Sequence, residues 1–94
     1  MSGIRLTGEL VCNNLDEVRL VTEYLPAHIR LTRLEPGCLA FNVTQTTDPL
    51  IWQVEEHFEN EMVLKTHQER GASSEWGKMT AGIERRYAIV EPSR

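Results

Sequence analysis

The chain has 94 residues, 40% hydrophobic and 26% charged, with 14 acidic against 10 basic side chains and a net charge of -4. That size suits one domain, residues 1–94, with a thin core. The acidic balance and the single basic pair, Arg85-Arg86, argue against a nucleic-acid partner, because neighbouring strand residues point to opposite faces. No stretch is apolar for long enough to span a bilayer, and Met1-Ser2-Gly3 carries no leader pattern, so the expected location is the cytoplasm with no membrane partner.

Residues 4–12 alternate, with Ile4, Leu6, Leu10 and Cys12 on one side and Arg5, Thr7 and Glu9 on the other, which predicts a first strand. Asn14 followed by Glu17 is a capping pattern, and Val18, Val21, Leu25, His28 and Leu31 then recur at helical spacing. The first helix is expected from about 15 to 34, bent near residues 22–25 by Pro26 and ended by Pro36-Gly37. Residues 38–45 read as a second strand, with Leu39, Phe41 and Val43 inward and Cys38, Ala40, Asn42 and Thr44 outward. After the turn residues "TTDP", residues 50–58 form a third strand with Leu50, Trp52, Val54, Glu56 and Phe58 aligned. Asn60 caps a second helix, expected through about Arg70 and stopped by Gly71, with Val63, Leu64 and His67 inward. A short turn over 74–79 precedes a fourth strand over 83–90.

The order β-α-β-β-α-β predicts an α+β fold of the split βαβ kind, a four-stranded antiparallel sheet with both helices on one face. The opposite face would carry Val11, Cys38, Ala40 and Ile51 among polar residues. Such a mixed face predicts sheet-to-sheet contact with a second copy, a homodimer.

His28, Arg33, the run Glu35-Pro36-Gly37-Cys38-Leu39, Phe41, Val43, Pro49, Glu56, Phe58, Leu64 and His67 stand in an order and spacing that resemble the antibiotic biosynthesis monooxygenase family. The likeness runs from about residue 4 to 90. It implies a ferredoxin-like, dimeric α+β barrel. The family includes cofactor-independent monooxygenases of quinols and polycyclic phenols, haem-degrading enzymes and an isomerase of a phosphorylated sugar. The Asn and Trp pair of the haem-degrading branch has no counterpart here, and Phe58 stands where many relatives carry Trp or Tyr.

Within this frame His28, on the inward stripe of the first helix, is the first choice for a general base, supported by its pocket position in members that it resembles. Glu56 is a carboxylate on an apolar strand face and needs solvation, a proton or a partner, for which His67 is the natural candidate. Phe41, Trp52, Phe58 and Trp76 are the candidate walls for a small aromatic ligand, with Trp76 at the rim. His57 points to the other face. The histidines do not converge by any ligand spacing, so no metal is expected. No phosphate loop or dinucleotide glycine motif is present, so, as in the cofactor-independent members that the chain resembles, no cofactor is expected either. Cys12 and Cys38 read as small buried thiols. Pro36-Gly37 is expected to aim His28 without supplying a reacting group. The leading function is oxidation of a quinol or phenol by molecular oxygen. The alternatives are a proton-transfer isomerase of a small carbonyl compound and a dimeric ligand-binding module without turnover.

Overall fold

The computed structural model describes residues 3–90. Its elements are β1 (Ile4–Val11), α1 (Leu15–Arg33), β2 (Cys38–Gln45), β3 (Ile51–Phe58), α2 (Glu61–Ser73), α3 (Glu75–Met79) and β4 (Glu84–Val90). The strands form one antiparallel sheet in the order β2-β3-β1-β4. This is the ferredoxin-like α+β architecture.

Each helix starts where a side chain replaces a missing backbone partner. Asn14 accepts from the Glu17 amide at 2.9 Å, and Glu17 reaches back to accept from the Asn13 amide at 2.7 Å. Asn60 accepts from the Val63 amide in the same way, at 2.9 Å. Helix α1 runs without interruption through Pro26, which lies on its exposed side. There, water can satisfy the carbonyl that the proline leaves without a donor.

The buried stripe of α1 is Val21, Leu25, His28 and Thr32. Leu31, expected on that stripe, is 49% exposed. Spacings of four, three and four residues follow the 3.6-residue period, and Leu31 lies a further 100° round the helix from Thr32.

Helix α1 ends in a four-residue turn. The Cys38 amide donates to the Glu35 carbonyl at 3.1 Å, with Pro36 second and Gly37 third at φ 87°. This is type II turn chemistry, in which proline presets the second position and glycine accepts the positive φ of the third. The turn also packs tightly, since a Cβ at Gly37 would lie 2.8 Å from the Val63 methyl groups of α2.

Just beyond the turn, the β2–β3 register slips between Cys38 and Ala40. Cys38 pairs with inward-facing Phe58 and packs against the core, whereas Leu39 is the extra residue of a bulge and is 48% exposed. Both outcomes reverse the alternation expected for these two residues. The inner face resumes at Phe41 and Val43, opposite Glu56 and Val54. Arg33 donates to the Phe41 carbonyl at 2.9 and 3.1 Å and to Asn42 Oδ1 at 3.1 Å, which fastens the end of α1 to the edge strand.

Helix α2 continues past Gly71 to Ser73, a second departure from expectation. Gly71 is a buried interior residue of the helix rather than a stop. A Cβ there would stand 3.5 Å from His28 Cε1. Ser74 breaks the helix instead, donating to the Gly71 carbonyl at 2.6 Å and accepting from the Gly77 amide at 3.2 Å as the cap of α3.

The core combines Leu6, Leu10, Val54 and Phe58 from the sheet with Val21, Leu25 and Leu64 from the helices. Replacing Gly37 by alanine is expected to lower the urea-unfolding free energy by about 1–2 kcal/mol. In G37A/V63A the steric part of that loss should be recovered and the part due to positive φ should persist, as a double-mutant cycle measured by urea denaturation would show.

Candidate active site

Between the helices and the inner sheet face lies a cavity of about 500 Å³. Its walls include Leu6, Leu10, Phe41, Val43 and Val54 from β1–β3, Arg85 and Tyr87 from β4, and His28, His67, Gly71 and Trp76 from the helices. Glu56 is the carboxyl group among them.

Strand alternation places Glu56 inward two residues beyond Val54, and the neighbouring helix layer buries it to 7% exposure. Among the described residues it makes no hydrogen bond, and its nearest ionic neighbour is His67, with Nε2 3.7 Å from Oε1. That gap exceeds hydrogen-bond length. Desolvation, reinforced by the negative charge of Glu35, pushes the Glu56 pKa up to about 7.

His67 is held from its other side. Its Nδ1 lies 2.9 Å from Glu35 Oε1, and Arg70 Nε donates to the second oxygen of the same carboxylate. Arg70 also donates to Thr32 Oγ1 at 3.0 Å. The His67 ring stacks on Phe58 at 5.0 Å and meets Phe41 edge-on at 5.5 Å. Burial lowers its pKa, opposed by the bond to Glu35.

His28 sits 5.6 Å from the His67 ring, stacks on Trp76 at 5.1 Å and presents its edge to Phe41 at 5.4 Å. Its Nδ1 is buried and, among the described residues, has no hydrogen-bond partner. Desolvation, with the nearby His67, Arg70 and Arg85, drives its pKa down to about 3, so the ring is neutral across the physiological range.

Arg85 spans the floor between β4 and α3. It donates to the Thr80 carbonyl at 2.7 Å, the Ile83 carbonyl at 2.9 Å and Thr80 Oγ1 at 2.8 Å, and its guanidinium lies 5.8 Å from the Trp76 ring. These bonds fix α3 and hence the indole wall.

The structure brings together five of the seven side chains singled out in the sequence: His28, Phe41, Glu56, His67 and Trp76. Phe58 is fully buried behind His67 and does not reach the cavity. Trp52 does not reach it either. It shares the inner face with Glu56 but stands four residues away, about 13 Å along an extended strand, packed in the core opposite Leu10.

Sequence reasoning missed Glu35, Arg70, Arg85 and Tyr87. For the last two a signal existed, because Ile83, Arg85, Tyr87 and Ile89 alternate on one face of the fourth strand. No local pattern marks Glu35 or Arg70 as neighbours of His67.

Fold and cavity together define a ferredoxin-like α+β protein with a buried glutamate and histidine beside an aromatic-walled pocket. The family model for antibiotic biosynthesis monooxygenases matches residues 16–79, and the chain belongs to that family. Solved structures share the fold. A Methanosarcina mazei conserved protein superposes with a TM-score of 0.80 at 21% identity, covering 99% of this chain and 95% of its own. A Nitrosomonas europaea protein, provisionally named an antibiotic biosynthesis monooxygenase, gives 0.79 at 18% identity, with coverage of 97% and 89%. A Mycobacterium tuberculosis protein gives 0.77 at 17%, with coverage of 99% and 97%. No curated protein matches the sequence significantly. Among the described residues no helix is long and apolar enough to cross a membrane.

The Glu56 environment has a measurable cost. Its folded pKa of about 7 lies above the reference value of 4.5, so its proton stabilises the fold fully below about pH 4.5, and this is lost as pH rises through 7. The loss is on the order of 3 kcal/mol. Glu56→Gln should therefore gain stability over the wild type at pH 8–9 but not at pH 4–5, as paired urea titrations at the two pH values would reveal.

Proposed function

We propose that the protein is a cofactor-independent monooxygenase that oxidises a quinol or phenolic substrate with dioxygen, working as a cytoplasmic homodimer. The observation that carries this reading is a carboxyl group, buried and beyond hydrogen-bond reach of His67, in the wall of an aromatic-lined cavity, where desolvation pushes its pKa up to about 7. An enzyme without a bound redox group must take its electrons from the substrate, and a phenolate surrenders them far more readily than a phenol. The protein's task is then to remove the hydroxyl proton in a dry site and to hold the anion.

Glu56 is better suited to that task than His28. An ordinary phenol has a pKa near 10, so each unit by which the base is raised lessens the cost of transfer by about 1.4 kcal/mol. Raising Glu56 from 4.5 to about 7 thus removes roughly 3 kcal/mol of that cost. His28, at about 3, is the weaker base. Its neutral ring instead stiffens the Trp76 wall through stacking. Trp76 and Phe41 flank the flat substrate, and Arg85 supplies positive charge on the β4 side of the cavity.

The overall reaction balances without a further reductant. A phenol loses its hydroxyl hydrogen and one ring hydrogen and gains one oxygen atom as a second carbonyl. The other atom of dioxygen leaves as water, and the substrate supplies all four electrons.

The helix-free sheet face supports the dimer. Val11, Ala40 and Ile51 lie on it among Thr7, Gln53, Glu55 and His57, and the two strands that carry most of them are only half-exposed. Cys38 is not part of this face, because the bulge turns it inward. Light scattering should return twice the chain mass of 10.8 kDa, and a monomeric mass would remove the dimer.

Oxygen uptake with a panel of hydroquinones and naphthols is the direct test. The expected result is dioxygen consumption with one oxygen atom in the product, a rate that falls as pH drops through about 7, and a loss of about 100-fold or more in kcat for Glu56→Gln. Identical products with and without air would end the monooxygenase reading. Solvent deuterium entering a carbonyl substrate without oxygen uptake would favour the isomerase.

A further inference from the structure

The turn that ends α1 does more than aim a helix. Glu35, its first residue, places one carboxylate oxygen 2.9 Å from His67 Nδ1, while Arg70 donates to the other oxygen and to Thr32 on α1. We propose that Glu35 is a positioning residue of the active site, holding His67 in the tautomer that carries its proton on Nδ1 and turns a bare Nε2 toward Glu56 and the cavity. This deepens the acid–base reading of the cavity and rests on it.

The argument is one of donor and acceptor roles. A carboxylate that accepts from Arg70 has no proton to offer, so the short contact to His67 requires the hydrogen to sit on Nδ1. A neutral imidazole then has a lone pair on Nε2, and that atom lies 3.7 Å from Glu56 Oε1. Closing the gap by less than 1 Å makes Nε2 the acceptor for a proton that Glu56 has taken. The proton passes from Glu56 Oε1 to Nε2, leaving a carboxylate and an imidazolium. The imidazolium is flanked by two negative groups, Glu56 and Glu35. With the opposite tautomer, Nε2–H would meet Glu56 as a donor and could not receive its proton.

Glu35 also acts on Glu56 through space. The charged and titratable groups around the pair are His28 from α1, Cys38 from β2, Arg70 from α2, and Arg85 and Tyr87 from β4. To these the turn after α1 adds Glu35, the charge that raises the proton affinity of Glu56. Neutralising it removes that repulsion and frees the Arg70 cation, and both changes favour the Glu56 carboxylate.

Two readouts separate positioning from mere support of the fold. Nitrogen-15 NMR of the His67 ring in the wild type at pH 7–8 should show protonated Nδ1 and unprotonated Nε2. The reverse assignment would overturn the proposal, whatever the substrate proves to be. Glu35→Gln keeps an acceptor oxygen for Nδ1–H, so it should preserve the tautomer. It should nevertheless move the acid limb of the kcat profile, or the Glu56 carbonyl titration followed by infrared, down by about half a unit or more. Glu35→Leu should give a mixed tautomer and a kcat loss exceeding any change in KM. If Glu35→Leu is too unstable to purify, the wild-type tautomer and the Glu35→Gln titration decide alone. An unmoved Glu56 titration in Glu35→Gln would refute the electrostatic half. Because the NMR and infrared readouts need no turnover, they remain informative if no phenol or quinol is a substrate.

Discussion

A largely buried carboxyl group on the inner face of β3 is the constraint around which the rest is arranged. Glu56 occupies a position where every other inward residue of its strand is apolar, and a charge there would cost several kcal/mol without compensation. Among the described residues the group has no hydrogen-bond partner, at 7% exposure, and its proton affinity rises toward neutrality. A purely structural glutamate would be expected to have a hydrogen-bond donor at close range. His67 stands just beyond that range.

The other polar groups of the region form a graded series outward from Glu56. His67 is buried but bonded on one side, Glu35 is bonded twice, and Arg70 is partly exposed and joins α2 to α1 through Glu35 and Thr32. Low local dielectric strengthens each of these contacts and makes an unpaired member expensive. The network therefore serves two ends, fastening α2 over the sheet and setting the proton inventory of the cavity. The aromatic groups form a second, drier set, with Trp76 in contact with the His28 ring and near the Arg85 guanidinium, and Phe41 touching both histidines.

Much of this was legible in the residue order. The strand and helix periods place all four strands and both long helices to within a few residues, and the isolated glutamate on an apolar face marks Glu56 without any structure. The errors have specific causes. Leu39 and Cys38 exchanged faces because a bulge inserts one residue, and a period of two inverts at every insertion. Glycine commonly ends helices, which predicts a stop at Gly71, whereas here α2 continues to Ser73 and the Ser74 hydroxyl, bonded to the Gly71 carbonyl, marks its end. A shared strand face predicts that Trp52 stands with Glu56, but that criterion is blind to distance along the strand.

Sequence alone determined the element order, the antiparallel α+β topology and the inward direction of His28, Glu56 and His67, because these follow from backbone periodicity and local capping. Tertiary structure alone decided which polar groups meet and what state they hold. The contact between Glu35 and His67 joins residues 32 apart, and the weak basicity of His28 and the raised pKa of Glu56 arise from the water excluded when helices and sheet close. Desolvation and long-range charge depend on what surrounds a side chain in space, and no spacing rule along the chain encodes that.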